Sequence, residues 1–363
     1  MDPKKKAITA AVTGTALGIA GLAVIAMPAS AGAAPVLPTV SAEDLVQSVA
    51  TAKTPALSGT VKVTNNLGLP SLNVLPGASM LNLDSADVYN DGNGRSKLAI
   101  HQGNTQETIT HDGTTVWDYS SNNNTVTKFA VPAGAMAATG TDKVSDPTTA
   151  ATQLLAKVRE TSTVAVDGTA RVANRSAYEL VLTPKPTERT LLREIRVAVD
   201  SETRLPLRLE VLTNGSADPA LQIGFSEVNF AQQPASQFQF TPPKGAKVTE
   251  KQPKLDTAAT GQIDQAQQDT KIVGDGWDTV LTGNIPADLL AGKQASGKQP
   301  ADVQGKGIDP KALLARLGKP VSGAWGSGTM ITTKVGTAVI TDDGRFAAGA
   351  VPEQVLFEAL AAK

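Results

Sequence analysis

From Glu194 to Val211 apolar and charged side chains take turns. Ile195, Val197 and Val199 stand against Glu194, Arg196 and Asp200, and then Leu205, Leu207, Leu209 and Val211 against Arg204, Arg208 and Glu210. A period of two fits only extended backbone, so this run predicts two strands of a sheet with one dry and one wet face, the habit of antiparallel sheets. Val61 and Val63 alternate with Thr60, Lys62 and Thr64 in the same way, and Tyr178, Leu180 and Leu182 share one side of residues 177–183. Residues 221–225 begin in phase and lose it near Ser226 before Val228 and Phe230, which predicts a bulge.

Turn signals join these strands. Asp112 and Gly113 sit between two runs of strand formers, the signature of a two-residue hairpin, and Asn122, Asn123 and Asn124 supply the next turn. Leu98 and Ile100, then Ile109, Val116 and Val126, each framed by polar neighbours, predict a meander of short strands from Arg95 onward. One helix precedes it and another interrupts the sheet. Ser41 can cap the amide of Asp44 ahead of the stripe Leu45, Val46 and Val49, and Asp146 with Pro147 opens a helix through Leu154, Leu155 and Val158. Residues 66–84 hold Leu67, Leu69, Leu72, Val74, Leu75, Met80, Leu81 and Leu83 without a clean period.

The chain starts with Lys4, Lys5 and Lys6, a weakly apolar run to Met27, and small residues around Ala31 and Ala33. This is the pattern of a secretory signal peptide over residues 1–34, or of a retained membrane anchor if it is not cleaved. The protein is therefore expected to be exported, in the cell envelope or secreted. It contains no cysteine, which removes disulfides, thiolate ligands and lipid attachment through sulfur. A formal net charge of −1 over 363 residues gives no basic field for a nucleic-acid partner.

Length favours two domains. A first is expected over residues 35–250, a linker rich in Gln, Asp, Thr and Ala over 251–270, and a small α+β domain over 271–363. The latter should contain a strand near 271–281, a polar loop over 292–307, a helix over 309–317, strands over 329–335 and 337–341, a turn from Asp342 to Arg345 and a terminal helix over 352–362. The expected state is a monomer.

Chemistry is hard to find. His101 and His111 both fall inside strand patterns, which favours structural roles over a catalytic triad. No closely spaced ligand set suits a metal. The glycines around Gly274 and Gly276, and around Gly323, Gly326 and Gly328, lack the strand, loop and helix context of a phosphate loop and read as turns. Trp117, Trp277 and Trp325 read as core fillers. No catalytic residue, cofactor or metal is expected.

In combination, several of these segments resemble the lipoprotein-carrier (LolA-like) superfamily, including its branch of periplasmic anti-sigma-factor regulators (MucB/RseB-like). They are the hairpin with Asp112, Gly113, Val116, Trp117 and Tyr119, the run Tyr178 to Pro184, and Ile195 to Asp200 with Leu205, Pro206, Leu207 and Arg208. Gly224 to Phe230 then leads to Phe238, Phe240, Pro242, Pro243 and Gly245. The extra C-terminal region is similar to the larger actinobacterial relatives. The resemblance implies an α+β fold: a strongly curved antiparallel sheet of about eleven strands, forming an unclosed half-barrel with helices on its concave side. It also implies a non-enzymatic protein that binds an acyl chain, lipid or lipoprotein in an apolar cavity, or alternatively an envelope-stress regulator that binds an anti-sigma factor or other membrane protein. The dry faces would then line the cavity through Val61, Val63, Leu98, Ile100, Ile109, Val116, Leu180, Leu182, Ile195, Val197, Leu207, Leu209, Ile223 and Phe225. Leu67, Leu69, Leu72, Val74, Leu75, Met80 and Leu81 would form either a lid or a fixed insertion.

Overall fold

A computed structural model describes residues 34–68, 83–130, 147–251, 270–285, 316 and 318–362. Nearly all of the expected export segment, the candidate lid from Leu69 through Leu81, all but the ends of the expected linker, the loop over 292–307 and all but Arg316 of the expected helix over 309–317 lie outside those residues.

The chain enters through helix α1 (Ala42–Thr51), with Ser41 as its cap: the Asp44 amide donates to Ser41 Oγ at 3.0 Å. Strand β1 (Leu57–Asn65) is followed by a meander of β2 (Ser85–Asn90), β3 (Ser96–Gln102), β4 (Thr105–His111), β5 (Thr115–Ser120) and β6 (Thr125–Ala130). Helix α2 (Pro147–Thr161) then leads to a second meander of β7 (Ser162–Val172), β8 (Arg175–Pro184), β9 (Leu192–Asp200), β10 (Pro206–Thr213) and β11 (Leu221–Asn229). Strand β12 (Lys247–Lys251) completes a large, curved, unclosed sheet of 12 strands, ordered β12-β6-β5-β4-β3-β2-β1-β11-β10-β9-β8-β7. The two meanders meet where β1 pairs with β11, and Ser226 falls out of register between Phe225 and Glu227, at the expected bulge.

Several expectations need correction. The sheet has one strand more than the resemblance implied, and its outermost pair, β12 on β6, is parallel. Strand β2, rich in Ser, Asp and Asn, carries little apolar signal and is held by pairing on both sides. The hairpin at Gly113 is longer than two residues, since β4 ends at His111 and β5 resumes at Thr115. Asp112 Oδ1 accepts from the amides of Thr114 and Thr115, and Gly113 takes φ +106°, so an aspartate-capped loop replaces the tight turn.

Both helices pack on one face of the sheet. Ala42 and Leu45 from α1 and Leu155 from α2 form a core with Val164, Tyr178, Leu180 and Val199. The opposite face is charged over β8 to β10, where Arg208 donates to Glu179 at 2.7 Å and Arg196 to Glu194 at 2.9 Å. After β11 the chain crosses the outer side of the first meander as an arm. Phe238, in a short 3-10 turn (Ala235–Phe238), is buried, and Phe240 lies 5.6 Å from the Trp117 ring and 6.1 Å from Tyr119. The paired phenylalanines of the family-like motif therefore clamp this arm to the sheet before it becomes β12.

A second sheet of six strands follows: β13 (Lys271–Val273), β14 (Val280–Asn284), β15 (Lys319–Gly323), β16 (Gly326–Thr332), β17 (Thr337–Thr341) and β18 (Arg345–Gly349), ordered β13-β14-β18-β17-β16-β15. The run expected as one strand over 271–281 is broken into β13 and β14, and β15 and β18 were not expected. Helix α3 (Glu353–Ala361) covers one face through Val355, Leu356 and Leu360, packed with Val280, Met330, Val339 and Ala347.

The two sheets touch around the β8–β9 connection. Trp277 Nε1 donates to Ser162 Oγ at 2.7 Å and its amide to Glu188 at 2.8 Å, while Arg189 grips Glu358 at 2.8 and 3.0 Å. Trp277 is thus a contact between units rather than a core filler. Trp277→Phe leaves the buried Ser162 hydroxyl unpartnered and is expected to cost about 1–2 kcal/mol. A urea titration of the full chain, with Ser162→Ala as the partner in a double-mutant cycle, checks it; additivity of the two changes would show that the bond contributes nothing.

Candidate functional site: an apolar concave face

Cross-strand neighbours project from the same face, so the register tells which residues share the helix-bearing side. One row runs Val166, Leu180, Val197, Leu209, Ile223 and Val63; Leu182 pairs with Ile195 beside it. Across β1, Val61 joins Phe225 to Ala86 and Ile100, and Leu98 continues to Ile109. His111 and Val116 pair at the end of that face. The register therefore sets most of the candidate cavity residues in neighbouring positions on one face, but Leu207 packs elsewhere and Phe225, although paired with Val61, packs against the same separate core as Leu207. A register shift between Pro206 and Arg208 takes Leu207 out of the alternation, and it packs into a separate small core with Val172, Ala177 and Ala198.

Cover on this face is uneven. Under α1 and α2 it is closed, with Leu180 and Val199 buried. Toward β10 and β11, Leu209 and Ile223 remain 36% and 37% exposed, an unusual state for adjacent large aliphatic side chains in the middle of a sheet. Val61, Val63, Leu98, Ile100, Ile109 and Val116 are half-buried, and of the candidate lid only Leu67 is described, buried at the end of β1.

The far end of the face is polar. Ile100 pairs with Glu107 and Ile109 with Asp118, so both carboxylates share the side of the aliphatic row. Burial and the nearby charge of Asp118 push the Glu107 carboxyl above its ordinary value. Sequence reasoning passed over this pair, although the parity of residues 107 and 109, and of 116 and 118, carries the signal. His111 lies on the same face, buried, with Nδ1 2.7 Å from the Gly94 carbonyl, while Nε2 has no partner. His101 projects from the other face toward Asp87 at 3.1 Å. The two histidines are thus on opposite faces, and among the described residues no group of three or more acidic or histidine side chains could hold a metal.

A curved, unclosed sheet with helices laid on its apolar concave side is the architecture expected of the LolA-like class of binding proteins, and part of the chain matches a family model from that class. Within it the match is to the MucB/RseB N-terminal domain, whose family model covers residues 78–245. Among solved structures, the chain is similar to MucB of Pseudomonas aeruginosa in its complex with MucA: 16% identity, 88% of this chain and 96% of that one, TM-score 0.43. It is also similar to the lipoprotein LppX of Mycobacterium tuberculosis, at 17% identity over 52% of this chain and 96% of that one, TM-score 0.30. A LolA-superfamily protein of Nitrosomonas europaea matches at 12% identity over 56% and 99%, TM-score 0.22. No curated protein matches the chain.

Proposed function

We propose that the chain is an exported, non-catalytic binding protein whose concave face takes the acyl chain of a lipid or lipoprotein. The observation that carries this reading is the continuous one-sided apolar register, with Leu209 and Ile223 left more than a third exposed at its centre. Burying a chain of about 14 methylenes is worth roughly 11 kcal/mol against water, at about 0.8 kcal/mol per methylene. A bilayer offers nearly the same, so transfer between membrane and protein is close to balance and small changes in cover decide its direction. Native mass spectrometry of the protein from its own host, followed by organic extraction, tests the reading. A stoichiometric acylated ligand is expected, and an empty protein would overturn it.

A second reading, a regulator that binds an anti-sigma factor, is favoured by a different observation. The β13–β14 hairpin of the small sheet exposes Ile272, Val273 and Leu281 at 71%, 40% and 41%, and Ile272 pairs directly with Leu281. Such a patch suits a protein partner. Under this reading Ile272→Asp with Leu281→Asp removes binding of an anti-sigma factor's external segment and leaves fatty-acid uptake unchanged.

A further inference from the structure

On the charged side of the large sheet, β1 lies between β11 and β2. The register sets two rows across these strands: Glu227, Thr60 and Asp87 in one, and Asn229, Ser58 and Tyr89 in the next. The middle strand contributes only short side chains, whereas its neighbours contribute long ones. The outcome is a trough of 320 Å³ with a low floor and two walls, lined by these six residues together with Gly59 and Val228. Two strand spacings make it about 10 Å across.

Its polar groups are mostly uncommitted. Asp87 accepts from Thr60 Oγ1 at 2.8 Å and faces His101. The Ser58 hydroxyl, the Tyr89 phenol, the Glu227 carboxylate and the Asn229 carboxamide have no hydrogen-bond partner within the protein among the described residues. Two carboxylates repel an anion, and a lining with Val228 as its one aliphatic side chain gives nothing to an acyl chain. A compact cation could use the carboxylate, hydroxyl and carboxamide oxygens, but it would leave the O–H and N–H donors of the set unmet. Hydroxyl groups, which donate and accept at once, meet every member of the set.

We propose that this trough binds a polyhydroxylated ligand, one or two rings of a saccharide, on the side of the sheet opposite the apolar face. The volume sits at the small end of ligand sites, which run from about 300 to 1,000 Å³, and this limits the ligand to that size. Saturation-transfer NMR on the full chain tests the proposal with arabinose, galactose, glucose, N-acetylglucosamine and disaccharides of each. At least one is expected to give a signal that falls at least about fivefold when Glu227→Ala and Asn229→Ala are combined. Both positions are exposed, and an unchanged thermal midpoint verifies the fold. Tyr89→Phe, which keeps the ring and removes the phenol, should lower the same signal. The proposal is overturned if no sugar gives a signal, if the signal survives the double substitution, or if spermidine alone binds there.

Discussion

Asp200→Ala is expected to lower the unfolding free energy of the large-sheet unit by about 3–5 kcal/mol, the cost of removing one partner from a buried, bonded charge pair. Asp200 is fully buried at the end of β9. Its carboxylate accepts from Arg175 at 2.8 and 3.1 Å, from the amides of Thr203 and Glu202, and from the Thr203 hydroxyl, so one side chain organises the whole β9–β10 turn. Burial alone would raise this carboxyl, but the bonds from Arg175, Thr203 and Glu202 outweigh it and hold the group below its ordinary value. The folded chain thus binds this proton more weakly than the unfolded chain, where aspartate titrates near about 3.9. Its stabilisation is complete above that pH and is lost as the pH falls through the lower folded value. Guanidinium titrations from pH 7 to pH 2 should show a flatter acid limb for Asp200→Asn than for the parent chain. Parallel limbs would refute the role assigned to this carboxylate.

Leu209→Glu combined with Ile223→Glu is expected to weaken binding of a fluorescent fatty acid by at least about tenfold, since even 1.4 kcal/mol of lost affinity is a factor of ten. The two residues are direct cross-strand neighbours, so the substitutions place adjacent charges where the acyl chain would lie. Because both side chains are already more than a third exposed, the unfolding midpoint should move little. Uptake that persists in a folded double variant would show that the acyl chain lies elsewhere.

Much of this arrangement is legible in the chain. The alternation in β9 and β10, the lost phase at Ser226, the cap at Ser41 and the helix start at Pro147 all depend on neighbours within a few residues, and local chemistry reports such features directly. What escapes is decided at long range. Strand β12 has no apolar period of its own and exists because it pairs with β6, where Lys128 meets Glu250 at 3.2 Å across the parallel edge. Strand β2 is polar for the same reason: its place is guaranteed by β1 and β3 rather than by burial. Leu207 looks in phase with Leu209 until the shift opposite Val199, a detail set by the partner strand. Of the candidate site, the shared face was readable, but its uneven cover was not, because cover depends on where α1 and α2 come to rest.

The order of the large sheet has a mechanical side. Its two free edges, β12 and β7, are the most distant strands in the array, yet the chain leaves at one edge and docks beside the other, where Trp277 meets Ser162 at the first residue of β7. The half-barrel is therefore open in its hydrogen bonding and hooped in its covalent path. Residues 252–269 can reach at most about 60 Å. Any widening that admits a bulkier guest must stay within that covalent reach or break the dock at Trp277.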